Sequence, residues 1–298
     1  MSTNTMGPVV VGVDGSESAG HAARWAAVEA VHRHLPLRLV HAVKVPVGPD
    51  IGGLMDQGYV TELKSAGREL VAGLQAEIVE IHPDLDVHTD VTVADPVTTL
   101  IAESEAAHLV VLGSRGLGGF TGILVGSTAI TLVAHGHCPV AVIRSRTPDG
   151  IPPVGGPVVV GLDGSPASAA AVALAFEEAS LRGCDLVALH TWTQYQSDNA
   201  YAYARQFVVD WNAIDARERE VLAERLAGWE EKFPDVVVRR VVTRGRPVNA
   251  LLEHSTDAQL LVLGSRGHGG LTGMLLGSTS QALIYHATCP LLVARPTH

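Results

Sequence analysis

The sequence predicts an α/β protein of two tandem doubly wound domains, each a parallel sheet of five strands flanked by helices. Three observations carry that prediction. The chain repeats itself at a long period; each copy alternates short apolar runs with helix-patterned segments; and 298 residues with 47% hydrophobic content supply apolar mass for two ordinary cores. The duplication is plain in the residues. Val9-Val-Val-Gly-Val-Asp-Gly-Ser16 returns as Val158-Val-Val-Gly-Leu-Asp-Gly-Ser165, an offset of 149. Gly113–Thr128 returns as Gly264–Thr279 with 12 of 16 positions identical, now at an offset of 151. A period this long marks two homologous domains rather than a solenoid.

In the first copy, strands are expected at Val9–Asp14, Leu37–Val43, Asp86–Val93, Leu109–Gly113 and Val140–Arg144. They are nearly continuous apolar runs, as strands covered on both faces must be. The first helix opens after Asp-Gly-Ser, with Ser16 as N-cap; in the second copy Ser165 is followed by Pro166, a residue suited to the first helical position. Ala19, Ala22, Ala23, Ala26 and Ala30 give that helix a small-residue face for close packing on a sheet. A second helix is expected over roughly Thr61–Ile81, and over Trp211–Lys232 in the second copy. A short third helix starts at Pro96 or Pro247, and a fourth near Ser127 or Ser278. Strict alternation of strand and helix implies a parallel sheet in each half. The Pro- and Gly-rich run Ser145–Pro157 reads as a linker, giving domains at residues 1–146 and 158–298 around a linker at 147–157.

Charge and cysteine content narrow the function classes. The formal net charge is −10, and an acidic chain lacks the basic footprint that nucleic acid or an anionic membrane surface requires. Three cysteines without a CxxC pair fit a reducing, cytoplasmic compartment. The first residues carry neither a basic segment nor an apolar run of signal-peptide length. Gly116–Ile143 contains no Asp, Glu, Lys or Arg, yet its glycines, hydroxyl residues, two histidines and Pro139 break up its hydrophobicity. A buried loop–helix–strand segment explains it better than a membrane span.

In a doubly wound sheet, ligands bind beyond the carboxyl ends of the strands where strand order reverses. Two repeated elements are expected to meet there. Asp14 and Asp163 end the first strands, preceded by Gly12 and Gly161. A glycine segment follows the fourth strand: Gly113, Ser114, Arg115, Gly116, Gly119, Gly126, Ser127 and Thr128, repeated as Gly264, Ser265, Arg266, Gly267, Gly270, Gly277, Ser278 and Thr279. Closely spaced glycines let backbone N–H groups approach anionic oxygens, and a helix N-terminus favours phosphate. Arg115 and Arg266 are the basic side chains inside these segments; each fits either a solvent-facing loop or a direct phosphate contact.

With these residues in hand, the sequence resembles the universal stress protein family in its tandem, two-domain form. The resemblance covers nearly the whole chain and rests on the family's nucleotide signature G-x2-G-x9-G-S/T. That signature stands here as Gly113, Gly116, Gly126, Ser127 and as Gly264, Gly267, Gly277, Ser278. The resemblance implies five parallel strands in the order 3-2-1-4-5 and one ATP, with Mg2+, in each domain. It implies that Asp14 and Asp163 contact the adenosine part. Backbone after the second-strand histidine, at Ala42 and Thr191, would meet the adenine edge, and the glycine loop would hold ribose and phosphates. It also implies pairing of domains through their last strands, a homodimer, protein partners and a role under stress or growth arrest.

Three functions stay open on the residues. A nucleotide-binding regulator is favoured; a slow ATPase and a scaffold with vestigial sites are the alternatives. No G-x4-G-K-S/T loop is present, and the lysines, Lys44, Lys64 and Lys232, lie outside the glycine segments. A general base shared by both sites should recur in both copies; Asp95 fails that test because Arg246 replaces it, while Asp14 and Asp163 pass. His32, His34, His135 and His137 have an H-x-H spacing without a completing ligand set and read as solvated or helix-terminal residues. Cys138 and Cys289 read as packed small hydrophobes. Aromatics cluster from Trp192 to Trp211, either as a loop over the second site or as a partner-binding patch.

Overall fold

The computed structural model of the chain describes residues 7–44, 57–116, 125–147, 149–192, 210–267 and 275–296. The chain divides into two compact units, Met1–Pro152 and Pro153–His298.

The first unit runs β1 (Val9–Gly12), α1 (Glu17–Arg33), β2 (Leu37–Ala42), α2 (Gln57–Ile81), β3 (Val87–Thr92), α3 (Pro96–Glu103), β4 (Leu109–Gly113), α4 (Ser127–His135) and β5 (Val140–Ile143). Its strands are parallel in the order β3-β2-β1-β4-β5. The second unit runs β6 (Val158–Leu162), α5 (Pro166–Arg182), β7 (Leu186–Trp192), α6 (Trp211–Leu226), α7 (Trp229–Lys232), β8 (Val238–Arg244), α8 (Pro247–Ser255), β9 (Leu260–Gly264), α9 (Ser278–His286) and β10 (Leu291–Ala294). Its order is β8-β7-β6-β9-β10, the same topology. Strand order reverses between β1 and β4, and between β6 and β9. The doubly wound class and the 3-2-1-4-5 order are therefore as expected.

The central strands β1 and β4 are buried on both faces because helices cover both sides; Val9, Val10, Val11, Val110 and Val111 have no exposed surface. α1 reaches close packing through alanine: Ala19, Ala22, Ala23, Ala26, Ala27 and Ala30 are all buried. Ser16 caps α1 and Ser165 caps α5, each accepting a hydrogen bond from the backbone N–H three residues on, at 3.2 and 3.1 Å. α3 and α8 begin at Pro96 and Pro247, where a missing N–H costs nothing.

Two elements depart from expectation. β1 ends at Gly12 rather than Asp14; Val13 N–H still donates to the Val40 carbonyl at 2.9 Å, and the chain then turns where Asp14 Oδ1 accepts from the Ser16 N–H. The expected single helix Trp211–Lys232 is two helices, α6 and α7, split at Gly228, whose φ of +80° is left-handed and cannot continue an α-helix. The equivalent α2 is continuous over 25 residues, and Glu77, at the position of Gly228, binds Arg24 of α1 at 2.5 Å. Around the break, Phe176 of α5 stacks with Trp229 and Phe233, both at 5.8 Å between ring centres. Among the described residues no helix is long and apolar enough to cross a membrane.

Candidate functional site

The candidate site is assembled from the turn after the first strand of each domain. Gly15 and Gly164 adopt φ of +91° and +83°, which side chains disfavour, and this bends Asp14 and Asp163 back over their own turns. Asp14 Oδ1 accepts from the Ser16 backbone N–H at 2.9 Å, and Asp163 Oδ1 from that of Ser165 at 3.0 Å. The same serines reach across the fold. Ser16 Oγ donates to the Arg115 carbonyl at 3.3 Å, and Ser165 Oγ to the Arg266 carbonyl at 3.2 Å. One hydroxyl thus caps a helix and ties its start to a loop about a hundred residues away in sequence.

Glycine is required where the two elements touch. A side chain at Gly113 would place its Cβ 2.7 Å from the Ser18 backbone; at Gly264 it would lie 2.6 Å from that of Ala167. A Cβ at Gly116 would fall 2.6 Å from Asp14 Oδ2, and one at Gly267 would strike Asp163 Oδ2. The loop is anchored at both ends. Ser114 N–H donates to Ile143 at 3.2 Å and Ser265 N–H to Ala294 at 3.0 Å, while Gly126 and Gly277 donate to the carbonyls of Ser114 and Ser265 at 2.9 Å.

Gly126 and Gly277 are the N-caps of α4 and α9 and bring no side chain to the first turn. Ser127 with Thr128, and Ser278 with Thr279, form that first turn, so their N–H groups meet no side-chain acceptor from the cap. A Cβ at Gly126 would enter open space. Each domain therefore offers a carboxylate, a glycine backbone against it and an uncapped helix start beyond the carboxyl ends of the strands. These groups suit a ligand that carries hydroxyls and an anionic group: a carboxylate accepts from hydroxyls, and helix-terminal N–H groups serve anionic oxygens. Arg115 and Arg266 are exposed, and their backbones make the loop contacts.

The other expected residues sort as follows. Gly12 and Gly161 pack against leucines; a Cβ would lie 2.5 Å from Leu112 and 2.8 Å from Leu263, so their smallness lets the flanking layer close on the sheet. Ala42 and Thr191 sit at the ends of β2 and β7, half-buried. Gly119 and Gly270 lie outside the described residues, as does the aromatic segment from Tyr195 to Phe207. Asp95 caps α3 and pairs with Lys44 at 3.0 Å, which holds its carboxyl below the usual carboxylate range. His32 and His135 lie in last helical turns, and His34 is the left-handed C-cap of α1. A cavity of about 480 Å³ opens at the far end of the first domain, between Val31, His34, Ile81 and Asp86, away from these groups.

Sequence reasoning gave no role to the second-strand histidine itself. His41 Nδ1 donates to the Val13 carbonyl at 2.7 Å, and His190 Nδ1 to that of Leu162 at 2.9 Å, which fixes the residue before each aspartate. Its recurrence in both copies was the available signal. In the second domain Glu218 also contacts His190 Nε2 at 2.8 Å. In the first, α2 brings Gly67 to that ring, where a Cβ would lie 2.7 Å from His41 Cδ2. Arg225 was also missed: its guanidinium fills the space over Gly164, and its buried Nη1 has no hydrogen-bond partner among the described residues.

Comparison with known proteins places this architecture. The model of the universal stress protein family matches twice, over residues 6–144 and 156–295. A universal stress protein of Mycobacterium tuberculosis is 42% identical over 297 residues, covering 96% of each chain. A second from that organism is 40% identical over 299 residues, covering 99% of this chain and 98% of its own. The crystal structure of a universal stress protein from Archaeoglobus fulgidus superposes with a TM-score of 0.66 at 21% identity, covering 97% of this chain and 98% of that one.

Proposed function

The chain belongs to the universal stress protein family in its tandem-domain form, and from that premise we propose that it is an ATP-binding regulator with one nucleotide site per domain. The observation that carries this reading is the apposition of Gly116 to Asp14 and of Gly267 to Asp163, repeated across a duplicated chain. Asp14 and Asp163 accept from the ribose hydroxyls. The backbone at Ala42 and Thr191 meets the adenine edge. The backbone of Gly113–Gly116 and Gly264–Gly267, with Ser127, Thr128, Ser278 and Thr279, donates to the phosphates. Mg2+ supplies charge neutralisation on those phosphates when bound.

Each aspartate has one oxygen already accepting from its own turn and the other against a glycine. That arrangement favours holding a ligand over abstracting a proton. Bound nucleotide stabilises the folded state by mass action, and the regulator acts on other proteins in its occupied form during stress or growth arrest. The working form in this reading is a cytoplasmic homodimer, which light scattering of the purified protein tests directly.

Mass spectrometry of nucleotide released from denatured protein tests the ligand. About two ATP per chain is the expected result, with affinity tight enough to survive purification. ADP in its place, with turnover that collapses in Asp14→Ala or Asp163→Ala, would make the protein a slow ATPase. A protein that emerges empty and binds no added Mg·ATP would overturn the nucleotide reading and leave a scaffold.

A further inference from the structure

The two domains also differ at the amino ends of their strands, the opposite end of the sheet from the Asp14 turn. The cavity of about 480 Å³ in the first domain lies there, between the end of α1 and the connection from α2 to β3. Val31, Leu35 and Ile81 give it apolar walls, and His34, His82 and Asp84 supply its polar groups. That size and lining suit a small molecule. Val31 and Ile81 are 36% and 59% exposed, so apolar surface at the mouth is left in water and would gain from being covered.

In the second domain the same place is bridged and filled by the chain's own side chains. At the offsets of 149 and 151, Ser180 stands for Val31, Lys232 for Ile81 and Phe233 for His82. Ser180 Oγ donates to Asp235 at 2.6 Å, tying the helix end to the turn before β8. Phe233 stacks on Phe176 at 5.8 Å, and the Lys232 ammonium lies 5.1 and 5.2 Å from the ring centres of Trp229 and Phe233. The first domain keeps the carboxylate, as Asp84, but Val31 has no hydroxyl to offer it. Ala27 and Ile78 stand for Phe176 and Trp229 with less volume. Pro83-Asp84 and Pro234-Asp235 fix this register.

His34 adds an independent sign. Among the described residues it is the one non-glycine with a positive φ, +53°, where its counterpart Gly183 takes +59°. That conformation carries a steric cost for a side chain and none for glycine. A histidine held there at the edge of a cavity is local strain placed where a ligand would meet it.

We propose that this cavity binds a small aromatic amine, a planar ring joined through a short chain to an ammonium group. The ring takes the part that Phe233 plays in the second domain, against Val31, Leu35 and the His82 ring. The ammonium takes the part of Lys232 and pairs with Asp84. Asp86, which His88 contacts at 3.0 Å, adds negative charge at the lip and disfavours an aromatic carboxylate. The inference does not rest on the nucleotide reading, because the two sites lie at opposite ends of the sheet.

Ligand-observed NMR titration of the full chain with tryptamine tests it, with indole-3-propionate as the anionic control. Tryptamine should saturate one site per chain with a Kd below about 1 mM. Indole-3-propionate should bind about five-fold more weakly or worse, and Asp84→Asn should narrow that gap to about two-fold. Val31→Ser/His82→Phe, which copies the second domain, should weaken tryptamine about ten-fold or more. His34→Gly should weaken it while the melting temperature holds or rises, since glycine removes the strain. Excess Mg·ATP should leave tryptamine bound. No saturation by about 1 mM would overturn the inference, as would displacement by Mg·ATP or equal affinity for amine and carboxylate. So would binding that Val31→Ser/His82→Phe leaves unchanged. Should that double variant lose its fold, the exposed Asp84→Asn decides: an unaltered preference for the amine overturns the inference. A chain that takes up tryptamine and no Mg·ATP would defeat the nucleotide reading alone.

Discussion

The two domains keep the same hydrogen bonds where the candidate ligand groups converge and differ in the helices that surround them. Asp14 and Asp163, Ser16 and Ser165, and Gly116 and Gly267 make matching contacts within a few tenths of an ångström. Around them, α2 is one long helix beside His41, whereas α6 and α7 are broken at Gly228 and contribute Glu218, Arg225 and Trp211. Asp95 caps α3, but Arg246 stands at the head of α8 and provides no cap. Duplicated domains are free to diverge wherever a residue does not contact two elements at once. The turn and loop residues do contact two; the surrounding helices meet the site from one side.

The largest expected effect tests the shared part. Gly116→Val and Gly267→Val each drive a side chain into the facing aspartate, and each should cost about 3 kcal/mol of nucleotide binding in its own domain. Bound nucleotide, measured by equilibrium dialysis, should fall from two per chain to one. Gly113→Ala and Gly264→Ala meet backbone rather than a side-chain tip, so each should lower stability by about 2–3 kcal/mol in chemical denaturation. Equal losses in the two would confirm that this contact is common; a cost in only one would break the comparison.

Smaller changes probe the difference. Glu218→Ala removes a side-chain acceptor from buried His190 and should destabilise the second domain by about 1–2 kcal/mol. Hydrogen exchange of β7 should register it, while β2 stays unchanged. Asp95→Ala should destabilise the first domain by removing the α3 cap, whereas Arg246→Asp should stabilise the second by about 0.5–1 kcal/mol by creating the cap that α8 lacks. The Asp95 carboxyl is held down by the Lys44 ammonium and by the α3 backbone N–H groups, so its folded pKa lies below its unfolded one. Its contribution is complete above about pH 4 and is lost as pH falls below that value. Local exchange in α3 should therefore rise in acid in the wild type, and Asp95→Ala should abolish that rise without affecting α8.

Much of this was legible in the residues. Apolar runs located the strands, Ser16 and Ser165 announced their caps, Pro96 and Pro247 marked helix starts, and the repeated glycine segment pointed to the end of β4 and β9. These are local signals, each readable within a few residues. What escaped was non-local. Gly228 breaks its helix although Glu77, its counterpart, does not, so the pattern of α2 misled the reading of α6. Arg225 is one of several charges on α6, and its position over Gly164 depends on how α6 packs.

The bond from Ser16 to residue 115 goes to a main-chain carbonyl, and so does the bond from Ser165 to residue 266. Every amino acid carries that carbonyl. The latch that closes the loop is thus indifferent to the side chain of the residue it grips, and Arg115 and Arg266 could be exchanged for any residue but proline without loosening it. Positions 115 and 266 are therefore places where descent can rewrite what the loop presents to a ligand while the frame stays shut. A gene duplicated once would keep two intact frames and two independent chances to change the message.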